Sequence, residues 1–150
     1  MAQTTEAMSG RALYVALSTT GTTFVDISGH ANSVTPAGGE RNVGEVFTGD
    51  GDTPVVTLGK RGKMELTLRA LYTEAITGPY ALMKTAYEAG SALYVRWAPK
   101  GNTTGNNMFT TAAAYVTSPP YQGVEDVGDG EALMVEANFS TASVTQATVT

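Results

Sequence analysis

His30 is the only histidine in this 150-residue chain, and the chain has no cysteine. A zinc site needs several imidazole or thiolate ligands, so one histidine without cysteine does not form one. A Ser-His-Asp triad would have to use His30, but no serine has the flanking glycines of a nucleophile elbow. The sequence therefore favours a polar turn residue at His30 and predicts no catalytic residue there.

Two acidic clusters contain the residue types that bind calcium. Asp50 and Asp52 flank Gly51, but this stretch lacks the further oxygen ligands and the closing glutamate of an EF-hand loop. A glycine between two aspartates is typical of an ordinary turn. Calcium binding is the alternative interpretation, and we expect no metal and no cofactor. The second cluster, interpreted as a solvated turn, contains Glu125, Asp126, Asp129 and Glu131.

A compact basic patch is formed by Lys60, Arg61 and Lys63. Gly59-Lys60 does not belong to a phosphate-binding loop, because Pro54 replaces the glycine that such a loop requires. The patch is either a solvated turn or a docking site for an acidic surface on another copy of the chain. Complementary charges of this kind set orientation more than affinity. Candidate partners on the preceding segment are Glu40, Glu45, Asp50 and Asp52.

The segment 38–63 is the most unusual part of the chain, with seven of its 17 glycines. Its first part, residues 38–53, shows neither a helical nor a strand period. Irregular connections longer than about 12–15 residues are uncommon in compact domains and are usually functional or disordered. We therefore expect a long irregular arm at 38–53, mobile in a free monomer and ordered against a partner, then a strand at 54–58 and a turn at 59–62.

The apolar pattern elsewhere predicts a mainly β fold, a β-sandwich or barrel with one flanking α-helix. Pro79–Ala89 is the strongest helical segment, since Pro79 suits the first turn and Gly90 suits the stop. Residues 1–10 are small and polar, so we expect a flexible N-terminal segment before a single domain at 11–150. The tail 142–150 is expected to extend the last strand. Strands are predicted at 11–19, 22–28, 31–35, 54–58, 63–72, 91–98, 108–117 and 131–141.

The composition limits the function classes. Charged residues make up 15% of the chain, against about 25% in average proteins, which suits a surface buried against neighbours. The net charge of −5 argues against a nucleic-acid grip, which needs a basic footprint, but it allows a surface that nucleic acid passes without binding. The N-terminus lacks the features of a secretory signal, and no apolar run approaches the roughly 18–20 residues of a membrane span.

Several segments resemble the major tail (tail tube) proteins of long-tailed bacteriophages of the siphophage type. The order of these segments over roughly residues 11–140 carries the resemblance. The helix that begins at Pro79 has the expected place between them. The similar segments are 24–29 (FVDISG), 38–48, 51–56 (GDTPVV), 59–60, 71–74 (LYTE) and 93–101 (LYVRWAPKG).

The resemblance implies a structural virion protein and not an enzyme. In such proteins six copies close into a ring, and the rings stack into a hollow tube that conducts the genome. The implied partners are further copies of the chain, tape-measure and tail-terminator proteins, and genomic DNA in transit without specific binding. The implied locations are the virion tail and, during assembly, the host cytoplasm.

Two sets of residues take roles under this resemblance. Negative charge in a lumen would let DNA slide by repulsion of its phosphates, although Arg69 departs from a purely acidic face. The residues expected at inter-ring or inter-subunit contacts are Glu40, Arg41, Glu45, Asp50, Asp52, Lys60, Arg61 and Lys63. The residues expected to face the lumen are Glu65, Thr67, Glu136, Asn138 and Ser140.

The alternative function is a virion or extracellular β-sandwich binding module for decoration or adhesion. Such a module would use Trp97, Tyr94 or Tyr121 on a sugar or another surface. Aromatic side chains dominate core area, so we favour core packing for these three residues. A small β enzyme is a third and weaker possibility, because the chain has no partner for its one histidine and no cysteine, and nothing marks a pair of carboxylates.

Overall fold

The computed structural model describes residues 12–123 and 130–150. Within these residues the fold is mainly β with a single helix, which confirms the predicted fold class. The helix α1 spans Pro79–Ala89, as predicted. The strands are β1 Tyr14–Ser18, β2 Val25–Asp26, β3 Ala31–Gly38, β4 Arg41–Val46, β5 Val55–Arg61, β6 Met64–Leu71, β7 Tyr94–Ala98, β8 Asn107–Thr111, β9 Ala114–Val116, β10 Met134–Thr141 and β11 Val144–Thr148.

The strands form two large sheets and one small one. The five-stranded sheet has the order β11-β8-β7-β1-β2, the four-stranded sheet the order β3-β6-β10-β9, and β4 pairs with β5 alone. The inner faces of the two large sheets share one apolar core, which also includes Met83 and Ala86 of α1. No helix in the described part of the chain is long and apolar enough to cross a membrane.

The four-stranded sheet shows why its central strands were predicted correctly. Leu66 and Leu68 of β6 are buried, and so are Ala137 and Phe139 of β10, which pair with them in register. The residues between them point away from the core, so the period of two in the sequence matches burial on one face only. Fully burying one such leucine or phenylalanine stabilises the fold by about 1.5–3 kcal/mol.

A bent ribbon joins the two large sheets. Thr141 of β10 pairs with Ala114 of β9 in one sheet, while Val144 of β11 pairs with Thr111 of β8 in the other. Between these pairs the amide of Ala112 donates to the carbonyl of Ser143 at 3.0 Å. The strand predicted at 108–117 is therefore interrupted at residues 112–113. The tail does continue β10, as expected, but after the bend it lies in the five-stranded sheet.

Several further strand boundaries differ from the prediction by a few residues, and two of them have a clear local cause. The second strand is confined to β2, because residues 20–23 form a turn in which the Thr20 side chain accepts hydrogen bonds from backbone amides. The third strand does not end before Pro36 but continues to Gly38. Because β3 is an edge strand, a proline that lacks an N–H group is tolerated within it.

The prediction of an irregular arm at 38–53 is wrong for the first part of that segment. Residues 41–46 form β4, and β5 continues through the predicted turn as far as Arg61. Val43 pairs with Leu58, and Val46 pairs with Val55, so most of the segment is a β-hairpin with a connection at 47–54. No alternation marks this hairpin in the sequence, because every residue of β4 and β5 is exposed on both faces.

A kink joins this hairpin to the four-stranded sheet. Gly38 and Gly39 have φ angles of 76° and 74°, a region that favours glycine. The amide of Gly39 donates to the carbonyl of Lys63 at 2.9 Å, and the amide of Gly62 donates to the carbonyl of Glu40 at 2.8 Å. The β3–β6 ribbon therefore continues into the β4–β5 hairpin across a hydrogen-bonded bend.

We expect Gly38→Ala to lower the free energy of unfolding by about 1–2 kcal/mol, because an added Cβ is strained at positive φ. That Cβ would also lie 2.8 Å from the carbonyl oxygen of Lys63. Gly29→Ala is the control, because a Cβ there has no heavy atom within 4 Å. Urea unfolding of the two variants measures the difference, and equal stabilities would contradict a glycine-dependent bend.

Candidate functional site

Within the described residues, those that suggested catalysis or metal binding are not gathered into one site. His30 lies in a turn, where its amide donates to the carbonyl of Ile27 and its carbonyl accepts from the amide of Leu71. In the described ranges no group of three or more histidine, aspartate or glutamate side chains could hold a metal ion. Glu125, Asp126 and Asp129 lie outside those ranges.

Six of the eleven large apolar side chains that are exposed in the described residues belong to the β4–β5 hairpin and its connection. Val43, Val56 and Leu58 lie on one face of the ribbon, and Val46 and Val55 lie on the other. These five side chains and Phe47 are between 54% and 69% exposed. An isolated two-stranded hairpin is marginally stable in water, and exposed apolar patches of several hundred Å² mark interaction sites. The hairpin therefore exposes the kind of apolar surface that marks an interaction site.

The sequence predicts intermolecular contacts in this segment from its charged residues, but it does not single out the exposed valines. The available signal was the run 54–58 (PVVTL), which is β-branched without a polar face. Val43 and Val46 stand three positions apart, so they did not register as a strand pattern. Their shared exposure on one hairpin becomes visible only once β4 and β5 are paired.

The structure brings all eight predicted contact residues onto the hairpin or its base. Arg41 lies opposite Arg61 at the base, where the guanidinium of Arg41 donates to the carbonyl of Gly59 at 3.2 Å. The Lys63 ammonium forms an ion pair with Glu65 at 3.1 Å. All eight are exposed: Glu40, Arg41, Glu45, Asp50, Asp52, Lys60, Arg61 and Lys63.

Charge is distributed unevenly along the hairpin. Asp50 and Asp52 lie in the connection at its tip, and Lys60 and Arg61 lie at its base. Six residue steps of β5 separate Arg61 from Val55, which corresponds to roughly 20 Å at about 3.3 Å per residue. The tip carboxylates and the base cations of one chain are therefore too far apart to pair with each other.

A second candidate surface is the polar face of the four-stranded sheet. Register places Glu65 opposite Ser140 and Thr67 opposite Asn138. The Thr67 hydroxyl donates to Oδ1 of Asn138 at 2.9 Å, which links β6 to β10 on this face. The structure thus brings together, on the side away from the core, all five residues predicted to face a lumen: Glu65, Thr67, Glu136, Asn138 and Ser140.

The polar face is not uniformly acidic. Arg69 belongs to it and lies directly opposite Glu136 on β10 and Ser33 on β3. Opposite charges on directly paired residues attract by about 0.2–1 kcal/mol, so Glu136 offsets the charge of Arg69. Glu65 is offset in the same way by Lys63, its ion-pair partner. The face is polar with near-balanced charge, unlike the purely acidic face expected for a repelling surface.

The two edges of the four-stranded sheet differ within the described chain. β3 forms an open edge, whereas Ala114 of β9, at the other edge, exchanges two backbone hydrogen bonds with Leu93. Unpaired N–H and C=O groups on an edge strand form a ready site for pairing with another chain. A neighbouring copy can therefore extend the sheet freely at β3, but at β9 only beyond Ala114.

The aromatic residues of the alternative binding function are placed differently. Trp97 is buried and stacks on Phe109 with ring centroids 5.6 Å apart, which agrees with core packing. Tyr94 is half-buried. Tyr121 is exposed, with its hydroxyl donating to Glu88 at 3.3 Å and its ring edge-to-face with Tyr87. Of these three residues only Tyr121 is exposed, so they do not together form an exposed aromatic surface for a sugar.

We expect the double variant Val43→Thr/Leu58→Thr to leave the free energy of unfolding of the monomer within about 0.5 kcal/mol of the wild type. Both side chains are already in water, so no core contact is lost. The variant should also bind less of an apolar fluorescent dye. The control Leu68→Ala, at a fully buried position, should cost about 2–5 kcal/mol. A similar cost for the hairpin variant would mean that the hairpin packs on its own chain.

Comparison with known proteins shows which fold this is. No family model matches the chain, and no curated protein matches it. A chain of the anti-feeding prophage baseplate matches with a TM-score of 0.70 at 14% identity, over 98% of this chain and 99% of that chain. A chain of the PVC sheath/tube terminator, from an extracellular contractile injection system, matches with a TM-score of 0.69 at 14% identity, over 94% and 96%.

A chain of the native gene transfer agent virion matches with a TM-score of 0.64 at 16% identity, over 94% of this chain and 99% of that chain. These matches span nearly the whole of each chain, so they include the hairpin as well as the two sheets. At such low identities the likeness concerns the fold. This chain therefore has the fold of proteins found in an injection-system baseplate, a tube terminator and a gene transfer agent virion.

Proposed function

We propose that this chain is a structural tail-tube subunit of a virion, which assembles into stacked hexameric rings that form a hollow tube for the DNA genome. The observation that carries this proposal is the β4–β5 hairpin, which exposes apolar side chains on both faces. The shared fold supports it, because the proteins with that fold come from tail-like particles. A non-enzymatic role agrees with those structural proteins.

Sixfold symmetry is found in two of the particles that contain a protein with this fold. The anti-feeding prophage baseplate structure is 6-fold symmetrised. The tail of the empty gene transfer agent particle, with a TM-score of 0.58 at 14% identity over 96% of this chain, has C6 symmetry. We take six copies as the ring size on this basis.

The sheet edges supply the contacts within a ring. Pairing of β3 of one copy with the β9 edge of the next, beyond the bridge between Ala114 and Leu93, would join the four-stranded sheets into one closed barrel. Closure removes the open edges that would otherwise recruit other chains. The polar face with Glu65, Thr67 and Asn138 would then line the lumen, while the apolar face remains on the core.

The near-balanced charge of that face suits passage of DNA. Phosphate contacts from lysine and arginine are what hold DNA in place, and each adds to affinity. Here Arg69 lies opposite Glu136, and Lys63 is paired with Glu65. Each of these two cations therefore has a carboxylate of the same chain beside it, which weakens its attraction for phosphates.

The hairpin supplies contacts between neighbouring subunits or rings. Its tip carboxylates and base cations cannot pair within one chain, so their complement lies on other copies. The exposed valines add apolar burial at about 25 cal/mol per Å². The remaining partners are a tape-measure protein and a tail terminator, and the locations are the virion tail and the host cytoplasm during assembly.

We expect purified wild-type protein at high concentration to form hollow tubes of uniform width in electron micrographs. The double variant Lys60→Glu/Arg61→Glu should remain folded but fail to assemble, because it places like charges against the carboxylates of a neighbour. Lys100→Glu, an exposed change in the loop after β7, is the control and should assemble. Normal tubes from the double variant would exclude the basic patch as a contact.

We expect a cryo-electron microscopy map of the assembled tube to place Glu65 and Glu136 on the lumen wall. The double variant Glu65→Lys/Glu136→Lys should assemble, because both side chains are exposed, but its tubes should retain DNA that wild-type tubes release. Retention is measured by co-sedimentation of DNA with the tubes at increasing salt concentration. A map with both residues on the outer surface would contradict the lumen assignment.

A further inference from the structure

The tip of the β4–β5 hairpin contains a dipeptide with a chemistry of its own. Asp50 is followed directly by Gly51 in the connection 47–54, and both residues are exposed. In an aspartate-glycine pair, the backbone nitrogen of the glycine can attack the side-chain carboxyl carbon of the aspartate and close a succinimide ring. A side chain on the second residue hinders this attack, and glycine has none. Aspartate followed by glycine is therefore the context in which the reaction is fastest.

The backbone at this tip is held loosely. Pairing between β4 and β5 ends at Val46 and Val55, so the connection lies beyond the last rung of the hairpin. The amide of Gly51, whose nitrogen is the nucleophile, donates to the carbonyl of Thr48 at 3.5 Å, longer than the about 2.7–3.2 Å that is usual for such a bond. Exposed backbone with weak hydrogen bonds opens locally at little cost. The tip can therefore reach the geometry in which the ring closes.

The surroundings of the two reacting groups are open. The two ion pairs of the described residues involve the carboxylates of Glu65 and Glu88, so neither of them ties down Asp50. A Cβ placed at Gly51 would have no heavy atom closer than 3.8 Å, which shows that the space beside the attacking nitrogen is not filled. Nothing near Gly51 in the described structure therefore blocks the approach of its nitrogen to the carboxyl carbon of Asp50.

The other two aspartates of the described residues lack these features. Asp26 is followed by Ile27, a β-branched residue whose amide donates to a carbonyl of β1 at 2.9 Å. The carboxylate of Asp26 accepts from a backbone amide at 2.8 Å, so both of its reacting groups are occupied. Asp52 is followed by Thr53, which is also β-branched. Among the described aspartates the structure therefore singles out Asp50.

We propose that Asp50 is a site of spontaneous succinimide formation, which converts the hairpin tip to isoaspartate as the protein ages. In the first step the nitrogen of Gly51 bonds to Cγ of Asp50, and the hydroxyl of the protonated carboxyl leaves with the proton of that nitrogen as water. In the second step water opens the ring. Opening at the former side-chain carbonyl restores aspartate, and opening at the main-chain carbonyl gives isoaspartate. The sum is an isomerisation that needs no oxidant and no cofactor.

The product changes the tip and leaves the body of the fold in place. The main chain of isoaspartate passes through the former side chain, so it gains one methylene group, and the former main-chain carbonyl becomes the free carboxylate. The connection 47–54 lies outside β4 and β5, so the added length is taken up there. Asp50 is among the residues predicted at contacts, so ageing moves a charge on that surface. The modification itself does not depend on the assembly function proposed above.

Peptide mapping of the purified wild-type chain after incubation at neutral pH tests the proposal. Trypsin cleavage after Arg41 and Lys60 releases the tip as the peptide 42–60. A protease that cleaves before aspartate but not before isoaspartate should lose its cleavage at residue 50 with time and keep its cleavage at Asp52, the internal control. A protein-isoaspartate methyltransferase with labelled S-adenosylmethionine should label the same peptide. The second Asp-Gly pair of the sequence, 129–130, falls in the separate peptide 101–150.

Two conservative variants separate this reaction from general damage. Gly51→Ala hinders the attack, and Asp50→Glu requires a larger ring, so both variants should lose most of the isoaspartate signal of peptide 42–60. Gly51 is not among the glycines with a positive φ angle, so alanine fits there and both variants should unfold like the wild type. Asp52→Glu is the matched control and should age like the wild type.

Two results would overturn the proposal. One is an aged wild-type chain without isoaspartate at residue 50, and the other is a Gly51→Ala chain that ages as fast as the wild type. Because the experiment uses the isolated chain and measures no assembly, either result leaves the tube function intact. A chain that forms no tubes but accumulates isoaspartate at residue 50 would remove the tube function and support the modification.

Discussion

Backbone pairing across the kink at Gly38–Gly39 is the interaction on which the rest of this structure depends. The hairpin β4–β5 has no core of its own, and a two-stranded ribbon alone is marginal in water. It is held because β3 and β6 continue directly into it and because two backbone hydrogen bonds span the bend. β6 is itself paired on both sides, with β3 and β10. The body of the protein therefore sets the direction of the hairpin, and the hairpin surface remains available.

Elements with locally complete signals could be predicted from the sequence. The helix has a proline at its start and a left-handed glycine at its end, and its predicted bounds are those observed. β6 and β10 each bury one face, which leaves a period of two in the sequence. The same period placed Glu65, Thr67, Glu136, Asn138 and Ser140 on one face before their pairing was known. A local sequence pattern is enough to predict a strand when one face of that strand is buried and the other is exposed.

The remaining features depend on pairing partners that no local pattern reveals. β4 shows no alternation because neither of its faces is covered, so its polar and apolar residues follow no burial constraint within the chain. The bend at residues 112–113 exists because β8 and β9 pair with strands of different sheets. The sequence does not mark the valines of the hairpin or Ile76 as exposed, because their spacing has no regular period that separates a buried face from an exposed one. Their exposure becomes visible only in the folded subunit.

Glu45 shows how the hairpin combines attraction with selectivity. It shares a face with Val43 and Val56, so any partner that buries these valines must also accommodate a carboxylate. A purely apolar ribbon of this length would be a template for nonspecific edge and face association, and charges on such ribbons oppose it. A partner with a cation at the matching position would keep the apolar gain and avoid the cost of an unpaired buried charge. Glu45 therefore favours a partner of complementary charge for the apolar surface of the hairpin.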